Sequence, residues 1–449
     1  MTSGRHLKLP TQVPLLSLAV IVVFLLCGCG GGGGSATPTS NNTQGSSSNS
    51  DSGCSGSTTE QLCTNTLSFT SSNFFLSPNI IAIDGSNKVW VGSQTYGMVT
   101  MIDPTNAASD CSTGCIDSFK STGTEKLRDI AIDEQDNVWL ALNVFGGTTP
   151  SSARNDRAVS VINPNSPTIV TAVYPNSNQI LSGNAVTFYG QAAAYSLAID
   201  NTGNIIVGGT TIIRTNNVAD NTLEMIVIDN SGNIVTTLTP PDPALSLVYG
   251  PGGIAIDSAG NIWAVFTDGT STALAMYPVN AQAAVVYSGG GLNPTRIAVD
   301  NAANLWVVNA PSVSASFGSV TKIAAGASAD CSTGCSNYIS AKFLNIPVSL
   351  AVDGANNVWV ATKVSLPDLG SSFSDTVGAV KIEQGAATDC SSGCTAYTSF
   401  DFTSANSSPG DIAVDGGGNV WIEDNGGSKV VQFPQVAAST TTPIVRQTR

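Results

Sequence analysis

Histidine is almost absent from this chain, because His6 is the only one among 449 residues. His6 lies in a basic N-terminal stretch that an exported protein would lose. We therefore predict no Ser-His-Asp or Cys-His nucleophile and no His-ligated metal in the mature chain. Charged residues are also few, at 11%, and the formal net charge is −14. An acidic chain repels nucleic acid, so no DNA- or RNA-binding role is expected.

Only one long apolar run occurs, LLSLAVIVVFLL at 15–26, and it follows Arg5, His6 and Lys8. This run is shorter than the roughly 20 apolar residues needed to span a bilayer, so we predict a cleaved export signal over residues 1–28. The residues at its end, LLCGCG (25–30), resemble the lipobox of bacterial lipoproteins. The resemblance implies that Cys29 becomes the lipid-modified first residue. An ordinary signal peptide with two incidental cysteines is the alternative.

Residues 29–53 are rich in Gly and Ser and have no apolar periodicity, which is typical of a random-coil tether. The GGGGGS within it is not a phosphate-binding loop, because no strand precedes it. The residue after Cys29 is Gly30 rather than the Asp that signals inner-membrane retention in enteric bacteria. We expect a cell-envelope protein held on a membrane by a lipid anchor, with the outer membrane favoured.

One motif recurs seven times after the tether. Its copies are IIAIDGSNKVWVGS (80–93), DIAIDEQDNVWLAL (129–142), SLAIDNTGNIIVGG (196–209), GIAIDSAGNIWAVF (253–266), RIAVDNAANLWVVN (296–309), SLAVDGANNVWVAT (349–362) and DIAVDGGGNVWIED (411–424). All six tryptophans share one column, and Ile206 takes the seventh place. Repeats of this spacing, built from alternating apolar residues, indicate a propeller or a solenoid of strands.

Each repeat predicts two inner strands, then a third such as EMIVID (224–229) and a fourth such as TSFDFT (398–403). Four antiparallel strands repeated seven times predict an all-β, seven-bladed β-propeller over residues 54–436. The last repeat is one strand short, and TLSFTS (66–71) precedes the first repeat as a spare strand. We expect that N-terminal strand to close the last blade. Residues 437–449 are predicted to be a disordered tail.

The repeats resemble those of NHL-repeat and streptogramin-lyase-like propellers, which follow the pattern G-I-A-x-D-x-x-G-N-[IVL]-W, over about residues 66–433. The resemblance implies the fold but no single activity, since such propellers include lyases, lactonase-like enzymes and binding modules. The lyases rely on an active-site histidine, which no repeat here provides. Lactonase-like relatives bind a metal through Glu, Asn and Asp around the axis. Glutamate is scarce here and none recurs at an innermost strand, so neither a metal nor another cofactor is predicted.

The repeated aspartates could be metal ligands, catalytic acids or turn residues. They are Asp84, Asp133, Asp200, Asp257, Asp300, Asp353 and Asp415. Three places later stands Gly, Asn or Asp in six copies, all of which tolerate a left-handed backbone. Seven turns in separate blades cannot share one metal, so we interpret these aspartates as hairpin residues. Ala303 is the exception at the left-handed place and predicts a slightly strained or differently shaped turn.

Eight cysteines follow the signal region. Cys54 and Cys63 form one predicted pair, and three copies of DCS[TS]GC provide Cys111 with Cys115, Cys331 with Cys335, and Cys390 with Cys394. Zinc or a redox site is the alternative. A Cys-x-x-x-Cys gives only two ligands and no histidine completes the set, while export favours oxidation, so we predict disulfides. Each short loop is expected to gain only about 2 kcal/mol, which makes it a local staple.

A ligand site, if present, is expected where the loops from second to third and from fourth to first strands meet the axis. One residue opens each innermost strand there: Ile80, Asp129, Ser196, Gly253, Arg296, Ser349 and Asp411, which we call the mouth ring. The long second-to-third connections at 143–158 and 210–223 add Arg154, Asp156 and Arg157 to this face, together with Arg214. The candidate ligand-binding residues are Asp129, Arg154, Asp156, Arg157, Arg296 and Asp411, and plain salt bridges among solvated loops are the alternative.

Two function classes remain from the sequence. The leading hypothesis is a lipid-anchored binding or scaffolding module, expected to be monomeric, whose ligand is an unidentified protein or small molecule. The rival is a lyase- or lactonase-like enzyme that uses carboxylates at the axis. No catalytic residue is assigned.

Overall fold

The alternating residues of every repeat form short antiparallel strands, and seven groups of strands form the blades of a β-propeller. The computed structural model describes residues 54–93, 97–120, 125–144, 159–163, 165–167, 170–174, 193–215, 218–241, 249–267, 272–311, 317–340, 344–363, 378–402 and 407–440. The predicted export signal and tether, with Cys29, lie outside these residues, as do Arg154, Asp156 and Arg157. The all-β, seven-bladed fold predicted from the sequence is confirmed.

Three strands precede the first repeat, namely β1 (Cys54–Gly56), β2 (Glu60–Cys63) and β3 (Leu67–Thr70). Blade 1 contains β4 (Ile80–Ile83), β5 (Val89–Ser93), β6 (Met98–Ile102) and β7 (Cys115–Lys120). Blade 2 contains β8 (Glu125–Ile132), β9 (Val138–Val144), β10 (Val159–Ile162) and β11 (Val170–Tyr174). Blade 3 contains β12 (Ala193–Ile199), β13 (Ile205–Thr215), β14 (Val218–Ile228) and β15 (Ile234–Leu238).

Blade 4 contains β16 (Tyr249–Ile256), β17 (Ile262–Thr267), β18 (Thr272–Tyr277) and β19 (Val285–Tyr287). Blade 5 contains β20 (Pro294–Val299), β21 (Leu305–Asn309), β22 (Ser319–Ile323) and β23 (Cys335–Tyr338). Blade 6 contains β24 (Ile346–Val352), β25 (Val358–Lys363), β26 (Gly378–Ile382) and β27 (Cys394–Ser399). Blade 7 contains β28 (Pro409–Val414), β29 (Val420–Asp424) and β30 (Lys429–Phe433), and β3 is its fourth strand.

The predicted closure of the ring by the N-terminal strand is confirmed. Strand β3 pairs antiparallel with β30, from Leu67 opposite Gln432 to Thr70 opposite Lys429. Phe69 stacks on Trp421 with ring centroids 5.7 Å apart. In blades 4 to 6 an outer-strand tyrosine packs on the tryptophan at the same place, with the two rings tilted rather than stacked. Phe69 therefore completes blade 7 as an outer-strand aromatic completes its neighbours.

Two sequence-based strand assignments were wrong. The segment 210–223 is not a loop, because β13 and β14 continue through it as one long hairpin, with Arg214 paired to Ala219 near its tip. The fourth strand of blade 6 is Cys394–Ser399 rather than TSFDFT, and a 3-10 turn (Phe400–Phe402) follows it. The alternation in TSFDFT fits more than one local structure, and the mostly polar residues of 210–223 do not indicate a strand. Pairing with the neighbouring strand decides both.

Blade 6 carries a hairpin that the sequence did not predict. Strands β1 and β2 pair through the register of Cys54 with Cys63, and β2 adds in parallel to β27. The sheet of blade 6 therefore has six strands. The outer edge of the blade, which would otherwise expose unpaired backbone groups, is covered by the chain itself.

The core lies between the blades, in a cluster of buried side chains at each of the seven interfaces between neighbours. Each tryptophan packs toward the next blade. Trp421, for example, belongs to the cluster that joins blade 7 to Ile81 and Val89 of blade 1. A flat blade cannot bury its two faces alone, so the repeats are stable only as a closed set.

Contacts continue past residue 436, where the sequence placed the start of the tail. Ala437 donates its N–H to the Gly418 carbonyl, and Ala438 donates to Asp353 Oδ2 at 3.2 Å. These bonds attach residues 437–438 to the inner turns of blades 6 and 7.

Candidate functional site at the axial mouth

The seven repeated aspartates each organise a turn and a core side chain. In blade 7, Asp415 Oδ1 accepts the N–H groups of Gly417 and Asn419, both at 2.9 Å. Its Oδ2 accepts the indole N–H of Trp421 at 2.8 Å. The same indole bond occurs in every blade that has the tryptophan. One oxygen therefore fixes the hairpin and the other orients the tryptophan, which confirms the interpretation as turn residues.

The left-handed place three residues later is occupied as predicted, with φ between 59° and 85° in all seven blades. Ala303 has φ 62° and its turn has the ordinary shape, with the Ala303 N–H bonded to the Asp300 carbonyl at 3.0 Å. Of the two possibilities the sequence left for Ala303, the structure shows a normal turn that holds a strained alanine.

Three of these left-handed residues also bind the preceding blade. The side chain of Asn87 accepts the Gly416 N–H at 2.8 Å, which ties blade 7 to blade 1. Asp136 accepts the Gly85 N–H, and Asn356 accepts the Asn301 N–H at 3.0 Å. Asn and Asp at this place therefore act between blades as well as within a turn. Glycine at this place forms the turn but has no side chain to accept a hydrogen bond from the preceding blade.

The mouth ring lies next to register shifts in the innermost strands. Six of these strands have an irregularity immediately before or at the ring residue. Bulges of this kind change the direction of a side chain and are common beside binding sites. Six ring residues are buried, and Arg296 alone is exposed.

Asp129 joins blade 2 to blade 3. Its Oδ2 accepts the Ser196 hydroxyl and the Leu197 N–H, both at 2.9 Å, and its Oδ1 accepts the Ile130 N–H. Burial raises the pKa of Asp129 to about 6, although these hydrogen bonds and the positive charge of Arg296 act in the opposite direction. Because Arg296 belongs to blade 5, its charge influences Asp129 from another part of the ring.

Asp411 makes the equivalent connection where the ring closes. Its Oδ2 accepts the Ile81 N–H of blade 1 at 3.0 Å, and its Oδ1 accepts the Ser349 hydroxyl of blade 6 at 2.7 Å. The Asp411 N–H in turn donates to Glu423 Oε1 at 2.6 Å. Glu423 is fully buried, and a Cβ on Gly410 would lie 1.7 Å from that oxygen. Gly410 is therefore required for the Glu423 carboxylate to reach the strand.

The exposed part of the mouth is cationic and aromatic. Arg296 donates from Nη1 to the Thr295 carbonyl at 2.9 Å, which orients the guanidinium. On blades 2 and 3, the Arg128 guanidinium lies 5.2 Å from the centre of the Tyr195 ring. Burial lowers the pKa of Arg128. These groups can contact an anionic or planar ligand.

Of the predicted ligand-binding residues, the structure brings Asp129, Arg296 and Asp411 to one ring, whereas Arg154, Asp156 and Arg157 lie outside the described residues. Sequence reasoning missed Arg128, Tyr195 and Glu423. Proline stands two residues before the ring residue in five blades, at Pro78, Pro251, Pro294, Pro347 and Pro409. Blades 2 and 3, which hold Arg128 and Tyr195, lack it, so it marks the ring but could not have found the missed residues. Proline cannot donate to a sheet ladder and marks bulges.

The predicted disulfides are present at all four pairs. The three DCS[TS]GC loops also contact the preceding blade, which the sequence did not indicate. The Thr70 N–H donates to the Ser109 carbonyl at 2.7 Å, Ser288 to Ala329 at 2.7 Å, and Ile339 to Thr388 at 2.8 Å. Each loop is therefore held by its own disulfide and accepts a backbone hydrogen bond from the end of the neighbouring blade's outer strand.

The described residues contain no group of three or more His, Cys, Asp or Glu side chains that could hold a metal ion. No helix among them is long and apolar enough to cross a membrane.

No protein-family model and no curated protein sequence matches the chain, but solved structures match its fold. A streptogramin B lyase aligns at 14% identity and a TM-score of 0.53, over 82% of this chain and 96% of that one. A catalytically inactive virginiamycin B lyase from Staphylococcus aureus, with quinupristin, aligns at 14% identity and a TM-score of 0.54, over 82% and 98%. The chain thus has a streptogramin-lyase-like β-propeller fold. At this low sequence identity, the similarity shows a shared fold and does not show a shared activity.

Proposed function

We propose that this protein is a cell-envelope binding module that takes its ligand at the mouth ring and does not catalyse its conversion. The observation that carries the proposal is the engagement of both ring carboxylates. Asp129 and Asp411 each accept hydrogen bonds on both oxygens, including one from the backbone of the next blade. A carboxylate whose two oxygens are both engaged by the protein is poorly placed to act as a general base, because a substrate would have to displace bonds that join two blades.

The comparison with the lyases supports the absence of that activity. The inactive S. aureus lyase carries alanine in place of a histidine, and this chain has no histidine apart from His6. Purified protein incubated with quinupristin is therefore expected to leave it intact by mass spectrometry. Linear product formed by the wild type and not by Asp129→Asn would overturn the proposal and favour a carboxylate enzyme.

Ligand contact at the mouth is tested with a photo-crosslinking amino acid. We expect a specific adduct, of small-molecule or protein mass, when the probe replaces Arg296 in the producing cell. The same probe at Gln384, exposed on the third-to-fourth connection of blade 6, is the matched control. An adduct of equal yield at both positions, or at Gln384 alone, would contradict binding at the mouth.

A carboxylate enzyme is the second candidate because of one observation, the pKa of Asp129. A buried carboxyl with a pKa of about 6 exchanges its proton near neutral pH, as a general acid or base must. If the protein is such an enzyme, its rate should follow an ionisation near pH 6 that Asp129→Asn removes. A pH-independent rate, or activity retained in Asp129→Asn, would eliminate this role.

We propose further that Cys29 is lipid-modified and holds the propeller on the bacterial envelope. The four disulfides support export, because such bonds persist in oxidising compartments. Metabolic labelling with a radioactive fatty acid should mark the wild type and Cys27→Ala but not Cys29→Ala. Label retained in Cys29→Ala would disprove the anchor without affecting the ligand proposal.

A further inference from the structure

Exposed apolar side chains concentrate on the outer edges of two neighbouring blades. Eight large hydrophobic side chains are exposed among the described residues, and five of them belong to blades 3 and 4. We call these five, Ile234, Val235, Val279, Val285 and Val286, the apolar rim. Val235 and Val279 are the most exposed of the five, at 56% and 55%.

The apolar rim is one continuous surface because the outer ends of the two blades touch. The Thr239 N–H, just after β15, donates to the Gln282 carbonyl of blade 4 at 2.9 Å. The Gln282 side-chain amide returns a bond to Thr236 Oγ1 at 3.1 Å. No Asp, Glu, Lys, Arg or His occurs in 230–241 or in 279–293, so the rim is uncharged in a chain of net charge −14.

The outer edges that are charged or covered are those of blades 1 and 6. Strand β7 of blade 1 carries Asp117 and Lys120, and the edge of blade 6 is covered by the β1–β2 hairpin. Within the described part of the chain, β15 and β19 are each paired on one side only. Within the same residues, β3 of blade 7 and β23 of blade 5 are also uncharged and paired on one side only, but each has a single exposed large apolar residue in it or beside it, Leu67 and Ile339 respectively. An uncharged, apolar edge strand with open backbone groups invites pairing with another strand.

We infer that the apolar rim is a self-association surface, on which β15 of one molecule pairs with β15 of a second copy about a two-fold axis. Any occupant must be uncharged where it touches the rim, and a second copy brings an identical uncharged edge. Two acidic molecules repel each other across most of their surfaces, so they can approach closely only where neither carries charge.

The first and last described residues lie away from the rim. Cys54, the first described residue, lies on the sheet of blade 6, and Ala438 bonds to Gly354 and Asp353 of the same blade. Blade 6 is two and three blades away from blades 4 and 3. The inference departs from the monomer expected from the sequence and does not depend on the ligand at the mouth ring.

Sedimentation velocity on the full chain in mild detergent tests this inference, over protein concentrations from about 1 to 200 µM. Wild type should form a dimer that dissociates on dilution. Val235→Lys and Val286→Lys, each tested singly, should raise the dissociation constant at least about tenfold. Lysine at Val235 blocks pairing of the edge strand β15, and lysine at Val286 places a charge on the β19 part of the apolar rim. The matched control is Ile339→Lys, since Ile339 and Val286 are both 44% exposed and Ile339 lies outside the rim.

Three outcomes would overturn the inference. They are a wild type that stays monomeric over the whole range, a dimer that none of the substitutions weakens, and a dimer that Ile339→Lys weakens as much as the rim variants do. Micelle-driven association through a lipid anchor belongs to the second outcome. Unfolding temperatures equal to that of the wild type must accompany each variant. The two rim variants lie on different blades, so misfolding of one leaves the other as the test.

Discussion

The change in stability on replacing Ala303 can be calculated from the residues at the same place in the other repeats. In three interfaces, the residue after the repeated aspartate donates its N–H to an Asn or Asp at the left-handed place of the next blade. Between blades 4 and 5 the donor is Ser258 and the left-handed residue is Ala303, whose methyl group accepts nothing. Ala303→Asn should restore the missing acceptor and relieve the strain of alanine at φ 62°.

The expected gain has two parts. A non-glycine residue such as alanine in the left-handed region costs roughly 1–2 kcal/mol, of which asparagine recovers a part through local bonding. One net hydrogen bond at this half-buried turn contributes about 0.5–1.5 kcal/mol. Together they predict a stabilisation of about 1–2 kcal/mol. Ala303→Gly removes the strain but loosens the unfolded chain by about 0.4–1 kcal/mol, so its gain should be smaller.

Urea unfolding of the three proteins measures the stability difference, and amide hydrogen exchange at Ser258 isolates the new bond. We expect Ala303→Asn to be the most stable and to slow exchange at Ser258, whereas Ala303→Gly leaves that exchange as in the wild type. Equal stabilisation by Asn and Gly, with unchanged exchange at Ser258, would refute a hydrogen bond between the blades and leave only backbone strain.

Three further predictions concern closure, the mouth and the core. Phe69→Ala should cost about 3–4 kcal/mol of stability and speed amide hydrogen exchange in strand β3. Leu67→Ala is the control and should change stability little, because Leu67 is 51% exposed. Similar losses of stability in both variants would contradict closure through Phe69. Asp129 has a folded pKa of about 6 above an unfolded value of about 3.9. Its protonated form thus stabilises the protein at low pH, and about 2–3 kcal/mol of the free energy of unfolding should be lost as pH rises from 4 to 6.5. Urea titrations should show that Asp129→Asn lacks this part of the decline. A variant with the same pH profile as the wild type would contradict the prediction. Trp306→Phe should cost about 2–3 kcal/mol of stability in the same assay, because it leaves a cavity in the core and removes the indole N–H bonded to Asp300. A loss under about 0.5 kcal/mol would count against that bond.

The sequence predicted the fold well because its repeats encode local structure. The aspartate, the left-handed residue and the tryptophan are adjacent in the chain, so their shared columns give the turn and the buried strand directly. The order of strands around the ring followed from the missing strand in the last repeat. Outer-strand bounds were less predictable, as the hairpin through Arg214 and the end of β27 at Ser399 show.

The mouth was predictable only in part. The column that holds Asp129 and Asp411 was recognised, but their bonds to Leu197 and Ile81 join residues far apart in the chain. No local pattern encodes such a contact. Glu423 escaped notice for a similar reason, since its partner is the backbone N–H of Asp411 on the adjacent strand. A residue that occurs in one repeat alone has no counterparts in the other repeats, so aligning the repeats does not draw attention to it.

The composite seventh blade has a consequence for how the protein is made. Strand β3 is synthesised first and its partner β30 last, and the bond from Ile81 to Asp411 joins residues 330 positions apart. A chain synthesised N-terminus first must therefore keep β3 unpaired until its final repeat is available. Folding of the ring is complete only when the last repeat is present, so a chain interrupted before that repeat would expose open sheet edges to proteases and to other chains.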